Sequence, residues 1–411
     1  MKNARCRVPV ILVGIFLIIL FGLNAAARYF NLFEAKKPAT VPTIEIWLND
    51  ITLETINSGD KDTKYPGNNL TITQDGEESS YSNVEIKGRG NSTWGQEKKP
   101  YQIKFNEKVS MFGMGKAKKW VLLANFFDKS GGLRTDIAFY IERMINPDNA
   151  LNGQYVNLIV DDENLGLYFL TPKVEVDKSR VDLKDPLGIL VELDNLHTNE
   201  ENFKVGNNHL QPKDLVAEDN KELAIKDFST SVQKLMSAAK ANDLNKLSKA
   251  VDLDSMVEYY LLSEFTINPD AYSSSLYLYK DGTEDVIHFA PGWDYDYSMG
   301  NKEWVWAPND EYYSPYNMSI SKYYDPKKEN KVGWFVNTPE FYKIVGAKYR
   351  ETMMGKKDEL LQYFDEQVKY IKESMLYDEA RWNGRFYEEV MYLRDWLSKR
   401  FDYFDEVYGV I

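Results

Sequence analysis

The stretch VEIKGRGNSTW, residues 84–94, joins a strand pattern to a loop that carries glycine at two alternate positions. A glycine-rich loop exposes backbone N–H groups, which is what phosphate binding requires. A second strand pattern follows in YQIKF, residues 101–105, whose apolar side chains occupy the odd positions. Gln102 and Lys104 therefore share the opposite face. We expect Lys104 to point into a cleft beside the loop, the alternative being a lysine on the solvated face of an edge strand.

The rest of the chain divides into a strand-rich part and a helix-rich part. Alternating or apolar runs predict strands at residues 44–48, 70–73, 120–123, 155–160, 167–170 and 276–279. A helix is predicted at 133–144, and helical spacing dominates beyond Asn220. Thr338-Pro339-Glu340 is typical of a helix start. The predicted fold class is α+β, with a β-rich lobe at 43–193 followed by a mainly helical lobe at 194–411.

The N-terminus indicates the compartment. Three basic residues precede an apolar run at 8–23, and three alanines follow at 25–27, which is the anatomy of a secretory signal. The alternative is an uncleaved membrane anchor. Residues 1–27 are therefore predicted to be a signal peptide or anchor, and 28–42 a linker. The body is expected to be secreted or extracytoplasmic, with membrane contact only through this segment.

Composition excludes several classes of protein. Of 411 residues, 63 are Asp or Glu and 50 are Lys or Arg, giving a net charge of −13. This charge argues against a protein that wraps nucleic acid. The single cysteine, Cys6, excludes an intramolecular disulfide, and three scattered histidines make a zinc enzyme a poor explanation.

The segment GWDYDY, residues 292–297, is the most informative acidic motif. In an extended conformation Asp294 and Asp296 project to the same side. Two converging carboxylates suit Mg²⁺, Mn²⁺ or Ca²⁺. The alternative is a solvated turn, because this spacing also occurs by chance.

A second acidic motif, EFTINPD, ends at Asp270, where a helical pattern gives way to a loop. A carboxylate in such a loop is placed to accept a proton from a hydroxyl while the other acidic pair holds metal. The alternative is that Asn268-Pro269-Asp270 caps a turn.

Taken in order, these motifs resemble the spore-coat protein H (CotH) kinase family. The matching segments are IKGRGNSTW at 86–94, KKPY at 98–101, KWVLLAN at 119–125, DKS at 128–130, GLY at 166–168, VEVDK at 174–178 and WDYD at 293–296. The resemblance implies an atypical protein-kinase-like fold. It also implies an enzyme that uses ATP with Mg²⁺ or Mn²⁺ to phosphorylate serine on coat or surface proteins.

The resemblance assigns roles to the acids. Asp270 resembles the catalytic-loop acid, which would accept the proton of the substrate hydroxyl. Asp294 resembles the metal-binding acid, and Asp296 is its candidate partner as second ligand or neighbour.

Four cationic residues are candidates for nucleotide binding. Lys104 is the candidate phosphate-contacting lysine, with Lys99 as the alternative. Arg89 begins the loop that would lie nearest the phosphates, and Arg134 is a candidate anchor for charge in the cleft.

The sequence departs from the family pattern at three places. Ser275 stands where a kinase catalytic loop has a metal-binding Asn. Pro172 replaces the acid of a Thr-Glu-Lys motif. Gly131-Gly132 lengthens the start of the helix that carries Arg134, and glycine there is expected to loosen it by about 1 kcal/mol per residue.

Two other functions fit parts of the sequence. The first is a catalytically inactive kinase-like surface protein that binds proteins or cell-wall material, which exposed aromatic residues would favour. The relevant aromatic residues are Trp304, Trp306, Tyr312 and Tyr313. The second is a glycosidase with paired carboxylates, which no motif singles out.

Overall fold

The computed structural model describes residues 40–196, 201–305, 307, 310–316 and 334–409. The predicted signal or anchor at 1–27, Cys6, most of the linker and Trp306 lie outside the described residues. Within the described part of the chain, no helix is both long and apolar enough to cross a membrane.

Seven strands form a closed barrel near the N-terminus. They are β1 (Thr43–Trp47), β2 (Tyr65–Gln74), β3 (Glu77–Gly88), β4 (Tyr101–Ser110), β5 (Lys116–Leu123), β6 (Gln154–Val160) and β7 (Glu163–Pro172). Their order around the barrel is β1-β2-β3-β4-β5-β7-β6. Neighbouring strands are antiparallel, except that β1 and β6 pair in parallel and close the barrel.

Alternation of side chains explains the barrel core. Ile44 and Ile46 of β1 and Ile103 of β4 are fully buried, as the alternating sequence predicts. Trp120 of β5 lies opposite Ile103 and fills the same interior. The opposite face of β4 and β5 therefore turns away from the barrel core.

A second sheet of five antiparallel strands follows. It contains β8 (Ile189–Leu193), β9 (Phe203–Val205), β10 (Asn208–Leu215), β11 (Leu276–Lys280) and β12 (His288–Phe289), in the order β12-β11-β8-β10-β9. The barrel strands thus end at Pro172, and β8, inside the predicted N-terminal lobe, belongs to the second sheet.

Helices make up most of the C-terminal part. Two helices, α1 (Leu53–Ser58) and α2 (Leu133–Ile145), lie between barrel strands. The helices of the C-terminal part are α3 (Lys221–Lys240), α4 (Leu244–Leu247), α5 (Leu253–Thr266), α6 (Pro339–Thr352), α7 (Lys357–Trp382) and α8 (Phe386–Tyr408). The predicted start of α6 is confirmed, since Thr338 accepts a hydrogen bond from the Phe341 N–H at 3.2 Å. Mixed α and β content is also confirmed, with the strands concentrated before the helices.

Helix α7 is fixed against the barrel by a buried ion pair. Lys98 Nζ lies 2.6 Å from Asp378 Oδ1 and also donates to the Leu167 carbonyl. Asp378 Oδ1 accepts the Leu167 N–H at 2.9 Å. These contacts join the strand connection before β4, strand β7 and helix α7.

Candidate functional site

A cavity of about 710 Å³ opens beside the barrel. Residues 89–93 and Gln102 line it from the barrel side. Asp270, Asp294 and Asp296 line it from the segments that follow α5 and β12. The structure thus brings together the three predicted acids and Arg89.

One side chain joins the two acidic loops. Asn268 Oδ1 accepts the Asp270 N–H at 3.1 Å, and its Nδ2 donates to the Asp294 carbonyl at 3.1 Å. Ser275 Oγ donates to Asp294 Oδ2 at 3.0 Å. The catalytic-loop candidate and the metal-ligand candidate are therefore fixed relative to one another.

The three acids repel one another in the cavity, where Asp270 and Asp296 are half-buried and Asp294 is exposed. Burial, together with the charges of Asp294 and Asp194, raises the pKa of Asp270 to about 7. Burial and the charges of Asp294 and Asp270 raise the pKa of Asp296 well above its ordinary value. A cation would remove this repulsion, and hard carboxylate oxygens suit Mg²⁺ or Mn²⁺.

The acids do not by themselves form a complete metal cage. Across the described ranges, no group of three His, Cys, Asp or Glu side chains has the arrangement of a metal site. Mg²⁺ commonly uses one or two carboxylates together with substrate phosphates and water. The donor set fits a metal that arrives with a nucleotide.

The glycine-rich loop faces these acids. Gly90 has a φ of 79°, and a Cβ there would lie 2.1 Å from Thr93 Oγ1, so glycine is required. The Arg89 guanidinium lies over the ring of Trp293, with Cζ 5.4 Å from the ring centroid. The loop and the acidic segment therefore meet across the cavity.

Lys173 is a cavity residue that the sequence analysis missed. It follows β7, where Pro172 pairs with the inward-facing Trp120, so the next side chain faces outward. Burial and the charges of Lys119 and Lys213 lower the pKa of Lys173 to about 8. If the inward and outward alternation of side chains is continued beyond the predicted strand at 167–170, the sequence places Lys173 on the outward face.

Two predicted cationic residues lie outside the cavity lining. Lys104 is in register with Glu85 and Lys119 on the outer face of the barrel. Lys99 Nζ donates to the Trp94 carbonyl at 2.6 Å and lies over the ring of the same residue.

Arg134 is also outside the lining and is completely buried. Its guanidinium pairs with Asp128 Oδ1 at 2.7 Å and Glu389 Oε2 at 3.0 Å, and its Nε donates to the Ser298 carbonyl at 3.1 Å. These contacts anchor helix α2 to the acidic segment and α8.

The glycines that were expected to loosen the start of α2 lie before the helix, which begins at Leu133. Gly131 and Gly132 adopt φ values of 81° and 93°, which only glycine enters without strain. A Cβ on Gly132 would lie 2.4 Å from Asn125 Nδ2. The two glycines thus allow close packing, and Arg134 fixes the helix start that they precede.

Glu142 contacts the backbone of the acidic segment. No motif in the sequence had indicated this residue. Its Oε1 accepts the Gly292 N–H at 2.8 Å, two residues before Asp294. Burial raises the pKa of Glu142 to about 8. Nothing in the spacing of the sequence connects Glu142 with Gly292, which lie 150 positions apart.

The predicted aromatic cluster is only partly exposed. Trp304 is half-buried and lines the cavity, with its ring edge-on to Tyr312 at 5.7 Å. Tyr313 donates to the Trp304 carbonyl at 2.8 Å. Trp304 is therefore part of the cavity wall, and Tyr312 and Tyr313 contact it.

Comparison with known proteins identifies the family. The family described as CotH kinase protein matches residues 86–404, which include the barrel from β4, both acidic loops and the C-terminal helices. No curated protein matches the chain. Because the match covers most of the sequence, the chain belongs to the CotH kinase protein family.

Proposed function

We propose that this protein is a metal-dependent protein kinase that transfers the γ-phosphate of ATP to serine hydroxyls of protein substrates. The observation that carries the proposal is the meeting of Asp270, Asp294 and Asp296 with the loop 89–93 in one cavity. Phosphoryl transfer depends mainly on positioning and on stabilisation of negative charge. In this proposal the acids on one side of the cavity hold the metal, and the N–H groups and cationic side chains on the other side bind the phosphates. Together they position the nucleotide and stabilise its negative charge.

Asp270 is the proposed proton acceptor. The serine oxygen forms a bond to the γ-phosphorus while the bond from that phosphorus to the bridging oxygen of ADP breaks. The hydroxyl proton passes to Asp270, and ADP leaves. A carboxylate with a pKa of about 7 is suited to accept a proton near neutral pH.

The remaining groups hold the nucleotide. Asp294 and Asp296 are the proposed ligands of Mg²⁺ or Mn²⁺, which would neutralise charge on the phosphates. Arg89, residues 90–93 and Lys173 line the same cavity, and the N–H groups of 90–93 are the proposed hydrogen-bond donors to the phosphates. In this proposal Lys173 takes the phosphate-contacting role that the sequence had suggested for Lys104 or Lys99.

The acceptor and compartment are proposals from the sequence. The apolar run at 8–23 supports export, either with cleavage or as an anchored protein. We therefore propose a serine-containing coat or surface protein as the substrate.

A second candidate function is an inactive kinase-like surface protein. Two observations favour it: Ser275 occupies the position of a metal-binding Asn, and Pro172 removes a carboxylate.

Incubation with γ-labelled ATP distinguishes these functions. The full chain is compared with Asp270→Asn and Asp294→Asn in Mn²⁺ or Mg²⁺, with label followed on the protein itself and on a serine-rich acceptor. Asp365→Asn is the control, because its carboxylate is exposed and pairs with Arg394 away from the cavity. Metal-dependent label that both cavity variants lose supports the kinase. Absence of both label and ATP binding in calorimetry would overturn it in favour of the inactive protein.

A further inference from the structure

One contact joins the two sides of the cavity directly. Arg89 follows strand β3 of the barrel, and Trp293 immediately precedes Asp294 in the acidic segment. Arg89 Cζ lies 5.4 Å from the centroid of the Trp293 ring. A guanidinium over an indole at this distance is a cation–π contact, and tryptophan is the aromatic residue that binds cations best.

The surroundings strengthen this contact. Trp293 is 7% exposed, and both residues line the cavity. Cation–π contacts gain strength when water is excluded. Asp294 and Asp296 also attract the guanidinium electrostatically. The ring therefore holds a cation beside the proposed metal ligands.

We propose that Trp293 is a positioning residue that couples phosphate binding to metal binding by holding the Arg89 guanidinium beside Asp294. The inference rests on the proposed function. A guanidinium that lies on a ring keeps its N–H edge available, and that edge is the part that binds phosphate oxygens in bidentate geometry.

Coupling follows from the chain connection between Trp293 and Asp294. A metal ion on Asp294 fixes the backbone that carries the Trp293 ring, and the ring fixes Arg89. Phosphate on Arg89 stabilises the same arrangement from the other side. Linkage then requires metal and nucleotide to raise each other's affinity by the same factor.

A double-mutant cycle tests the coupling. The affinity for ATP in Mn²⁺ is measured by calorimetry on the full chain, Arg89→Gln, Trp293→Leu and the double variant. We expect each single variant to bind ATP at least about threefold more weakly than the parent. The affinity of the double variant should be little lower than that of the weaker-binding single variant. The Mn²⁺ concentration for half-maximal binding at fixed ATP should rise in both single variants.

A second cycle supplies the matched control. Lys87 lies in strand β3, two residues before Arg89, and lines the same cavity, but it pairs with Asp62 at 2.6 Å. Lys87→Gln and Trp293→Leu should have multiplicative effects on affinity. If Trp293→Leu does not fold, Trp293→Phe replaces it and should show a smaller coupling, because its ring binds cations more weakly.

The outcomes are distinct. Multiplicative effects of Arg89→Gln and Trp293→Leu would overturn the inference while leaving the proposed function intact. Equal coupling in the Lys87 cycle would also overturn it, because the effect of Trp293 would then be general. Failure of the parent chain to bind ATP with Mn²⁺ would overturn the proposed function and this inference together.

Discussion

The hydroxyl of Ser275 donates a hydrogen bond to Asp294 Oδ2 at 3.0 Å. Both residues have positive φ values, 54° and 65°, in loops that meet at the cavity. The departure from Asn at position 275 thus has a structural role, because the serine orients the proposed metal ligand. Serine at this position thus contacts the proposed metal ligand Asp294 instead of offering an amide oxygen to a metal.

Removal of this hydroxyl should weaken metal-dependent activity without abolishing it. We expect Ser275→Ala to raise the half-saturating Mn²⁺ concentration about fivefold, the equivalent of about 1 kcal/mol for one hydrogen bond. Ser274→Ala is the control, because the Ser274 hydroxyl donates to Asp194 at 3.2 Å. Equal effects of the two changes in a labelled-ATP assay would contradict a specific role for Ser275.

Glu142 should make the stability of the parent protein depend on pH. Its pKa rises from 4.5 to about 8 on folding, so between these values the folded protein holds a proton that the unfolded chain has released. Stability from this group therefore falls as the pH rises through this window. Glu142→Gln keeps an acceptor for the Gly292 N–H and removes the titration.

Urea unfolding at pH 5 and pH 8 measures this effect. We expect the free energy of unfolding of Glu142→Gln to exceed that of the parent by about 2 to 4 kcal/mol at pH 8 and by much less at pH 5. Glu142→Leu, which leaves the Gly292 N–H without its acceptor, should be less stable than Glu142→Gln at both values. A difference between parent and Glu142→Gln that does not change with pH would contradict the prediction.

Local patterns predicted most barrel strands and the helical character of the C-terminal part, but not α1, β9, β10 or the closure of the barrel. The alternation of Ile44 and Ile46 places β1 on a buried face, whereas its parallel pairing with β6 joins Thr43 to Asn157. Nothing local specifies that pairing. Closure of the barrel depends on contacts between residues far apart in the chain, and a single amino-acid sequence contains no local pattern that predicts them.

In the candidate site, too, the local sequence indicated some residues, whereas others depend on contacts between distant parts of the chain. The acids were found because their motifs are short, and the spacing of Asp294 and Asp296 is visible in the sequence. The cationic residues were harder, because Lys104 and Lys173 both face outward from the barrel and only the folded chain separates them. Arg134 binds Glu389, 255 positions away, so its structural role is not visible from the sequence.

Lys173 should give ATP binding a characteristic pH dependence. With a pKa of about 8, its ammonium is charged below that value and neutral above it. A neutral amine attracts phosphate less, so affinity should fall as the pH rises from 7 to 9. Lys173→Arg retains its charge throughout this range.

Calorimetric titration of ATP in Mg²⁺ across this range tests the role of Lys173. We expect Lys173→Arg to lose less affinity than the parent between pH 7 and 9, and Lys173→Met to bind about tenfold more weakly at pH 7. Parallel pH curves for the parent and Lys173→Arg would show that another group causes the dependence.

A short helical turn spans Ser92–Gly95. Gly90, which lies before this turn, and Gly95, which ends it, should differ sharply in their tolerance of alanine. Gly90 has a φ of 79° and no room for a Cβ, since Thr93 Oγ1 lies 2.1 Å from its position. Left-handed backbone costs a non-glycine residue about 1 to 2 kcal/mol, and the clash also displaces Thr93. Gly90→Ala should therefore deform the loop that faces Asp294 and reduce ATP affinity at least about tenfold.

Gly95 supplies the matched control at the other end of the same turn. Its φ is not in the left-handed range, and no heavy atom lies within 4 Å of a Cβ built there. Gly95→Ala should therefore bind ATP within about twofold of the parent. Thermal unfolding of both variants distinguishes a deformed loop from a destabilised barrel. Destabilisation of the barrel would lower the unfolding midpoint substantially, whereas deformation of the loop alone would lower it little. Unchanged ATP affinity in a folded Gly90→Ala protein would show that the loop does not contact the nucleotide.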